Sequence, residues 1–491
     1  MYGVSLPSLV AGLLASVCVL FQLWLPLAAI LFGLPLMLVL ISEPLKGLVM
    51  WLLLSPTVGS YMKLSLPAGV PDITFDRVVI GCVVLALMLQ VVFRTRRLFP
   101  SGRIERAMLL FIIMGVLDVV LRSSRKGEEF LIFFDEYGIP FLFFVAAKNL
   151  FRSVDDIRTL IRVLFLVGLY LAFHGMYQFL THGNLVTADA GGAEMLGHLV
   201  EGRAVGPFLN AGVYGTILVF AFVWTLYLVR FEDWRLAKSF FIVGLGVIGL
   251  GVFLSLTRAV WVGFLVSLFI VQVFDRKWRK PFALCLGGLI LFSAAAWFAR
   301  SAASLVHERL VAEDTVYQRL GSYRVALFMF LAKPVLGYGK DEGHFSTIRA
   351  EYLSKLGYTR AELVADMGPP HNQYLNTLVQ YGLVGLLLYG ALVFLMAESA
   401  ATVMRMFPHP DSAEHQFAVL FYGMLGTYLV QGMFADVGAY TILGPLLYIF
   451  AGVLDGVRLR THFVAGVSTG EVRMSRSKSA SRAGDFNFGG E

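Results

Sequence analysis

The chain has 491 residues, of which 58% are hydrophobic and 15% are charged, and its mean hydropathy is +0.75. Soluble globular proteins are about 45–50% apolar and about 25% charged, so this composition excludes a soluble enzyme, a disordered scaffold and a secreted disulfide-rich domain. The apolar runs are continuous rather than alternating, which excludes a β-barrel. The sequence therefore predicts an all-α polytopic membrane protein. The net charge of +7 indicates basic loops at a membrane rather than nucleic-acid binding.

A series of apolar runs is long enough, or nearly so, to cross a hydrocarbon core of about 30 Å. They lie at about 5–24, 25–41, 44–61, 74–93, 104–121, 130–147, 157–181, 206–229, 238–255, 258–274, 281–303, 372–397, 415–434 and 437–456. The first three runs are crowded, so we expect 12–14 transmembrane helices. A polar junction from Ser255 to Arg258 separates two runs that are together too long for one span.

Basic residues after alternate runs indicate the orientation of the chain. They are Arg94, Arg96, Arg97, Lys148, Arg152, Arg158, Arg230, Arg235, Lys238, the segment 275–280, Arg458 and Arg460. With fourteen spans they share one side, which the positive-inside rule makes cytoplasmic, together with both termini. The basic loop at Arg122, Arg125 and Lys126 is an exception. Either the number of spans is wrong there, or this loop has a function at the outer face.

This topology divides the chain into four parts. Residues 1–200 form N-terminal transmembrane helices, and residues 201–400 form a central region with most of the candidate functional residues. Residues 401–460 form C-terminal transmembrane helices. The Ser- and Arg-rich segment 461–491 is expected to be a disordered cytoplasmic tail.

The longest outer segment, 304–371, has a helical pattern of its own. Four residues at helical spacing predict an amphipathic helix over 317–332 that lies on the membrane surface; they are Leu320, Tyr323, Leu327 and Leu331. Pro334 ends this helix, and Gly337 and Gly339 indicate a tight turn. A second short helix is predicted over 348–364.

The outer face also concentrates the residues that can carry chemistry. The sequence contains no HExxH, Walker or GxSxG motif and no short acidic pair, so we expect no metal and no cofactor. The remaining candidates are Arg203, Arg258, Arg319, Arg324 and His371. A guanidinium group binds phosphate bidentately, so several arginines at one face indicate a diphosphate ligand. Each arginine alone is equally well explained by contact with lipid headgroups or a helix end.

His371 directly precedes a polar helix head with Asn372, Tyr374 and Asn376. The N-terminus of a helix lowers the pKa of an imidazole, which suits a general base. A polar residue that is merely satisfied at the interface is the alternative, and the spacing alone does not decide between them.

Four motifs follow one another between about residues 200 and 390. They are Arg203 to Asn210; Ser255 to Gly263; Arg319 with Tyr323, Ala326 and Leu327 and then Pro334 to Gly339; and Pro370 to Asn376 followed by Tyr381 to Gly385. Together they resemble the motifs of the O-antigen ligase and polymerase superfamily. Tyr323 is a departure, because the family usually has Trp there.

The resemblance implies a GT-C-type glycosyltransferase in the bacterial inner membrane, with one long periplasmic segment. Such enzymes move a glycan from undecaprenyl diphosphate to an acceptor hydroxyl at the periplasmic face. His371 is then the expected general base. Asn372 and Tyr374 are expected to orient His371 or the sugar. The expected ligands of the diphosphate are Arg203, Arg258 and Arg319, with Arg324 beside the motif.

The resemblance leaves the acceptor open. A ligase transfers the glycan to a lipid A–core acceptor, and a polymerase transfers it to another lipid-linked glycan. The tail 461–491 is a candidate for contact with envelope-assembly proteins. A transporter or flippase of lipid-linked sugars is the alternative, but it should carry charges near the middle of the membrane on broken helices. The few deeper charges are mostly near span ends; they are Asp118, Asp135, Glu136 and Asp436.

Overall fold

The computed structural model describes residues 34–58, 63–64, 72–181, 183, 203–208, 210–298, 313–340, 342–356, 370–440 and 442–460. These residues are almost entirely helical. The strands β1 (Lys63–Leu64) and β2 (Ile73–Thr74) are two residues each and pair antiparallel.

The helices are numbered in chain order. They are α1 (Leu34–Ser42), α2 (Pro44–Val58), α3 (Phe75–Val92), α4 (Arg103–Arg122), α5 (Lys126–Phe133), α6 (Ile139–Leu150), α7 (Val154–Thr181), α8 (Ala211–Phe231), α9 (Arg235–Leu254), α10 (Arg258–Phe274), α11 (Arg279–Phe298), α12 (Glu313–Ala332), α13 (Glu342–Lys355), α14 (Gln373–Met406), α15 (Ala413–Gly432) and α16 (443–460). A π-helical segment, Phe134–Gly138, joins α5 to α6 without a break.

Among the described residues, six helical stretches are long and apolar enough to cross a membrane. They are α3, the continuous stretch Lys126–Leu150, α7, α8, α9 and α14. This confirms the prediction of an all-α polytopic membrane protein. Every apolar run predicted between 74 and 456 coincides with a helix. The run 5–24 and most of 25–41 lie outside the described residues, so the number of 12–14 spans stays a prediction.

Helix α8 lies at the centre of the bundle. A helix that is hydrophobic on all sides must be surrounded by other helices, and nearly every side chain of α8 is buried. Its Trp224 ring packs against the rings of Phe417 and Phe450, at centroid distances of 4.5 and 4.2 Å. This packing joins α8 to α15 and α16, the two helices that frame the candidate site.

The basic loops share one end of the bundle. Arg96 and Arg460 donate hydrogen bonds to the carbonyl groups at the end of α6, and Arg152 and Arg460 line one cavity with Tyr227 and Glu414. Nearby, Arg230 forms salt bridges with Asp275 at 2.8 Å and Asp411 at 2.6 Å.

The antiparallel helices α10 and α15 define the opposite end of the bundle. Helix α10 ends and helix α15 begins at the basic end, so Arg258 and Gly432 lie at the opposite end. We call that opposite end the His371 end.

The exceptional basic loop has a structural contact at the His371 end. Arg122 is the last residue of α4, and its Nη1 donates to the carbonyl oxygens of Leu336 at 2.9 Å and Gly337 at 3.3 Å. Arg122 therefore has a structural contact at this end, and the two explanations for this loop both stay predictions.

The two helices of the long segment 304–371 differ from their predicted bounds. Helix α12 begins four residues earlier than predicted, and α13 ends at Lys355 rather than at 364, with 357–364 outside the described residues. In α12, Leu320, Leu327 and Leu331 are exposed, and the opposite face packs against α13 and α14. The predicted stripe is therefore free to face lipid, and its position on the membrane surface stays a prediction.

Candidate functional site

The site is built on the first turn of α14. Asn372 caps this helix: its Oδ1 accepts hydrogen bonds from the backbone N–H groups of Tyr374 and Leu375, both at 3.0 Å. Its Nδ2 donates to the carbonyl of Met433 at 3.0 Å. His371 precedes the cap with a φ of 36°, a left-handed conformation that non-glycine residues rarely adopt. The cap therefore holds His371 in a strained position at the helix entrance.

The loop after α15 lies across this helix head. The backbone N–H of Gln373 donates to the carbonyl of Ala435 at 3.2 Å, and that of Gly438 donates to Gln373 Oε1 at 2.8 Å. Asn376 Nδ2 donates to Asp436 Oδ2 at 2.6 Å. These bonds place the Asp436 carboxylate close enough to His371 for the two charges to interact.

The charges around His371 set its proton affinity. His371 is exposed, but partial desolvation by the surrounding protein lowers its pKa below the usual 6.5. The positive charge of Arg319 lowers this pKa further, and Asp436 opposes both effects. Burial raises the pKa of Asp436, against the hydrogen bond from Asn376 and the positive charges of Lys340 and His371. A lowered pKa keeps the imidazole neutral near pH 7, which is the state that can accept a proton.

Helix α12 brings Arg319 to this position. Val325 and Met329 on α12 pack into one apolar cluster with Val379 of α14. Tyr323 Oη donates to the carbonyl of Met433 at 3.0 Å, so the residue that departs from the family pattern still joins α12 to the loop beside the site. The structure thus brings Arg319 and His371 together, although they are far apart in sequence.

Arg203 and Arg258 belong to a second position, at the polar junction between α9 and α10. The backbone N–H of Ala204 donates to the carbonyl of Leu254 at 3.1 Å. Arg203 therefore lies beside the junction between α9 and α10, and Arg258 is the last residue of this junction. Asn210 Nδ2 donates to Tyr440 Oη at 3.0 Å, which ties this segment to the loop that carries Asp436. Within the described residues, the charged groups that act on His371 are Arg319 and Asp436, not these two arginines.

Arg324 and Tyr374 lie differently from the other candidates. Arg324 is exposed, and its guanidinium carbon lies 6.0 Å from the centre of the Phe328 ring. It follows Arg319 by five residues, which places it about 140° around the helix, on another face. Tyr374 Oη donates to the carbonyl of Leu429 at 2.7 Å and so joins α14 to α15. Their roles in ligand binding stay predictions.

The predicted glycine turn docks into a break in α14. Gly382 has a φ of 65° and interrupts the helix. The backbone groups of α14 that lose their helical partners at this break form hydrogen bonds with the turn. Leu383 N–H donates to the Pro334 carbonyl at 2.8 Å, and Tyr338 N–H donates to the Val379 carbonyl at 2.9 Å. A Cβ atom at Gly382 would lie 2.3 Å from the Val335 carbonyl oxygen. Two of the sequence motifs are therefore the two halves of one backbone junction.

Two charged residues near the site were not among the predicted site residues. The charge of Asp436 acts on His371. Lys340 follows the glycine turn, where its backbone N–H donates to Asp118 Oδ2 at 3.1 Å and its ammonium group forms a salt bridge with Glu136. The sequence offered one signal for such residues, namely acidic side chains within or beside the apolar runs. Such residues need buried partners, but a single sequence does not say which ones.

A comparison with protein families matches residues 241–390 to the family model described as O-antigen ligase. The matched residues include Arg258, Arg319 and His371. This segment matches the O-antigen ligase family model. The resemblance found in the sequence is thereby confirmed at the level of the superfamily, and the match supports a ligase or polymerase type of enzyme in polysaccharide assembly. The predicted boundaries 201–400 stay a prediction. A comparison with curated proteins finds no match.

Proposed function

We propose that the protein is an inner-membrane glycosyltransferase that moves a glycan from undecaprenyl diphosphate to an acceptor hydroxyl at the periplasmic face. The observation that carries the proposal lies in and beside the segment that matches the O-antigen ligase model. There, the charges of an arginine and a carboxylate, Arg319 and Asp436, both act on a histidine with a lowered pKa, His371. This arrangement combines a proton acceptor with a cation that can bind phosphate.

In the proposed reaction, the acceptor oxygen attacks the anomeric carbon of the donor and its proton passes to a ring nitrogen of His371. The bond between the anomeric carbon and the phosphate oxygen breaks, and the polyprenyl diphosphate leaves with the electron pair. Arg319 stabilises the negative charge that the leaving group gains, and Arg203 and Arg258 bind the rest of the diphosphate. Asp436 stabilises the imidazolium that forms. A glycosyl diphosphate is already activated, so the step needs no nucleotide.

The decisive experiment uses the full-length protein, purified and reconstituted with undecaprenyl-diphosphate-linked repeats, with and without a lipid A–core acceptor. A ladder of longer lipid-linked glycans without the acceptor identifies a polymerase, and product only on the acceptor identifies a ligase. His371→Ala should lower the rate about 10²- to 10⁴-fold, the usual contribution of a general base. His409→Ala, an exposed histidine at the basic end, is the matched control and should keep full activity. Full activity of the His371 variant would refute the proposed base.

One observation favours the alternative of a transporter or flippase. Helix α14 is broken at Gly382, and broken helices form the substrate sites of many transporters. In this protein, however, the turn Pro334 to Gly339 occupies the break and pairs with its backbone groups. Movement of a labelled lipid-linked sugar across proteoliposomes without any new glycosidic bond, unaffected by His371→Ala, would support transport instead.

A further inference from the structure

A cavity of about 530 Å³ opens beside the glycine turn at the His371 end of the bundle. Its described lining consists of Arg122, Lys333, Pro334, Val335, Leu336, Gly337 and Tyr338. None of these belongs to the candidate site for transfer. Two cationic side chains therefore share an open cavity that the proposed reaction does not use.

The turn holds both cations in place. Arg122 donates to the carbonyls of Leu336 and Gly337, and it forms a 3.3 Å salt bridge with the buried carboxylate of Asp118. The Lys333 ammonium lies 4.4 Å from the centre of the Tyr338 ring. Among the described residues, no carboxylate lies within salt-bridge distance of Lys333. Among the described residues that line the cavity, both charged side chains are therefore cationic, and only Arg122 is paired with a carboxylate.

The span predicted at 104–121 corresponds to α4 and is expected to place the cavity at the depth of lipid headgroups. Helix α4 has 20 residues and is about 30 Å long, so Arg122 at its end is expected at the boundary of the hydrocarbon core. Leu117 and Leu121, on the last turns of α4, are exposed, as is Leu383 after the break in α14. Val335 and Leu336 at the cavity itself are 62% and 51% exposed. A molecule bound in the cavity would therefore contact Arg122 and Lys333 at one end and the exposed apolar side chains of α4 and α14 along its length.

We propose that this cavity binds one anionic phospholipid of the bilayer, with its phosphodiester between Lys333 and Arg122 and its acyl chains along α4 and α14. A phosphodiester carries one negative charge, which suits the ammonium group of Lys333 as the cation of the described lining that has no carboxylate within salt-bridge distance. Phospholipids are also the most abundant anions at this depth. The lipid would hold the glycine turn against α14, and the proposal does not depend on the transferase activity.

The test uses the delipidated full-length protein in detergent. Phosphatidylglycerol, phosphatidylcholine or inorganic phosphate is added, and bound lipid and the thermal-unfolding midpoint are measured by native mass spectrometry and a melting assay. Phosphatidylglycerol should raise the midpoint of the wild type, because a ligand that binds only the folded state stabilises it. Lys333→Gln should bind this lipid about fivefold more weakly, since one basic residue at a membrane surface contributes about that factor.

Two variants control for charge and for general effects. Lys333→Arg keeps the positive charge and should bind phosphatidylglycerol as the wild type does. Lys355→Gln removes an exposed lysine of α13 at the same end and should have no effect. Binding that is equally tight in Lys333→Gln would overturn the proposal, as would equal loss in Lys355→Gln. Equal stabilisation by phosphatidylcholine would refute an anionic lipid, and equal stabilisation by inorganic phosphate would show a site for free anions instead.

Discussion

His371 combines a strained backbone with a defined electrostatic environment. A left-handed conformation at a residue with a side chain costs about 1–3 kcal/mol, and it persists only where the surroundings hold it. Here the Asn372 cap and the loop at Met433 supply that support. Strain of this kind is common at functional sites. It holds His371 where the charges of Arg319 and Asp436 both act on its imidazole.

The first prediction concerns the dependence of activity on pH. A base acts only when it is deprotonated, so activity should fall as the pH drops through the pKa of His371, with a midpoint below 6.5 because that pKa is lowered. Arg319→Gln removes a positive charge, raises the pKa and should move the midpoint upward. Asp436→Asn removes a negative charge and should move it downward. The measurement is kcat/KM against pH for the residual activity of each variant. Midpoints that do not move would contradict the assignment of these charges.

A second prediction separates the charge of Arg319 from its geometry. Arg319→Lys keeps the positive charge, so the pH midpoint should stay in place. The lysine lacks the guanidinium fork, and losing one charge-assisted hydrogen bond of about 1.5–3 kcal/mol should lower kcat/KM about ten- to hundredfold. Arg324→Lys, on another face of the same helix, should have a much smaller effect. Equal losses in the two variants would assign a general surface role to both arginines.

At the scale of elements, α14 is two helical pieces rather than one. Its 34 residues extend over about 51 Å, more than a bilayer core requires, whereas the part after Gly382 is about 36 Å long and suffices to cross it. The piece before the break is capped by Asn372, the residue that directly follows His371. The turn after α12 fills the break, so the helix with Arg319 and the helix with His371 are joined by backbone hydrogen bonds.

This junction leads to a third prediction. Gly382→Ala should disrupt it, because a Cβ atom would collide with the Val335 carbonyl and the φ of 65° disfavours alanine. Both the thermal-unfolding midpoint and the transfer rate should fall. Gly390→Ala is the matched control: it lies on the same helix, its Cβ would meet nothing within 4 Å, and alanine favours a helix by about 0.5–1 kcal/mol. A Gly382 variant as stable and active as the Gly390 variant would contradict the junction.

At the scale of the whole molecule, the two ends of the bundle carry different features. One end concentrates the arginines and lysines of the basic loops, and the other carries His371, the glycine turn and the loop of Asp436. The positive-inside rule predicts that the end with the basic loops is cytoplasmic. With that orientation, the proposed site is expected to face the periplasm.

The fourth prediction tests this orientation. In a background in which Cys18, Cys82 and Cys285 are replaced, a membrane-impermeant maleimide should label Lys355→Cys on α13 while the inner membrane is intact. Arg276→Cys, an exposed position at the basic end, should be labelled only after the inner membrane is permeabilised. The opposite pattern would reverse the topology and remove the proposed site from the periplasm.

The sequence alone determined the membrane class, the position of the helices between 74 and 456, and the superfamily. These features are local: a span needs about 20 apolar residues, and the motifs are short. Tertiary structure alone decided that the charge of Asp436 acts on His371, that Gly337 and Gly382 belong to one junction, and which face of α12 packs. Such contacts join residues far apart in sequence. A glycine without a Cβ atom lets two backbones approach, and a charged side chain at the site interacts with a distant charge. The apolar pattern of one segment does not predict which other segment packs against it.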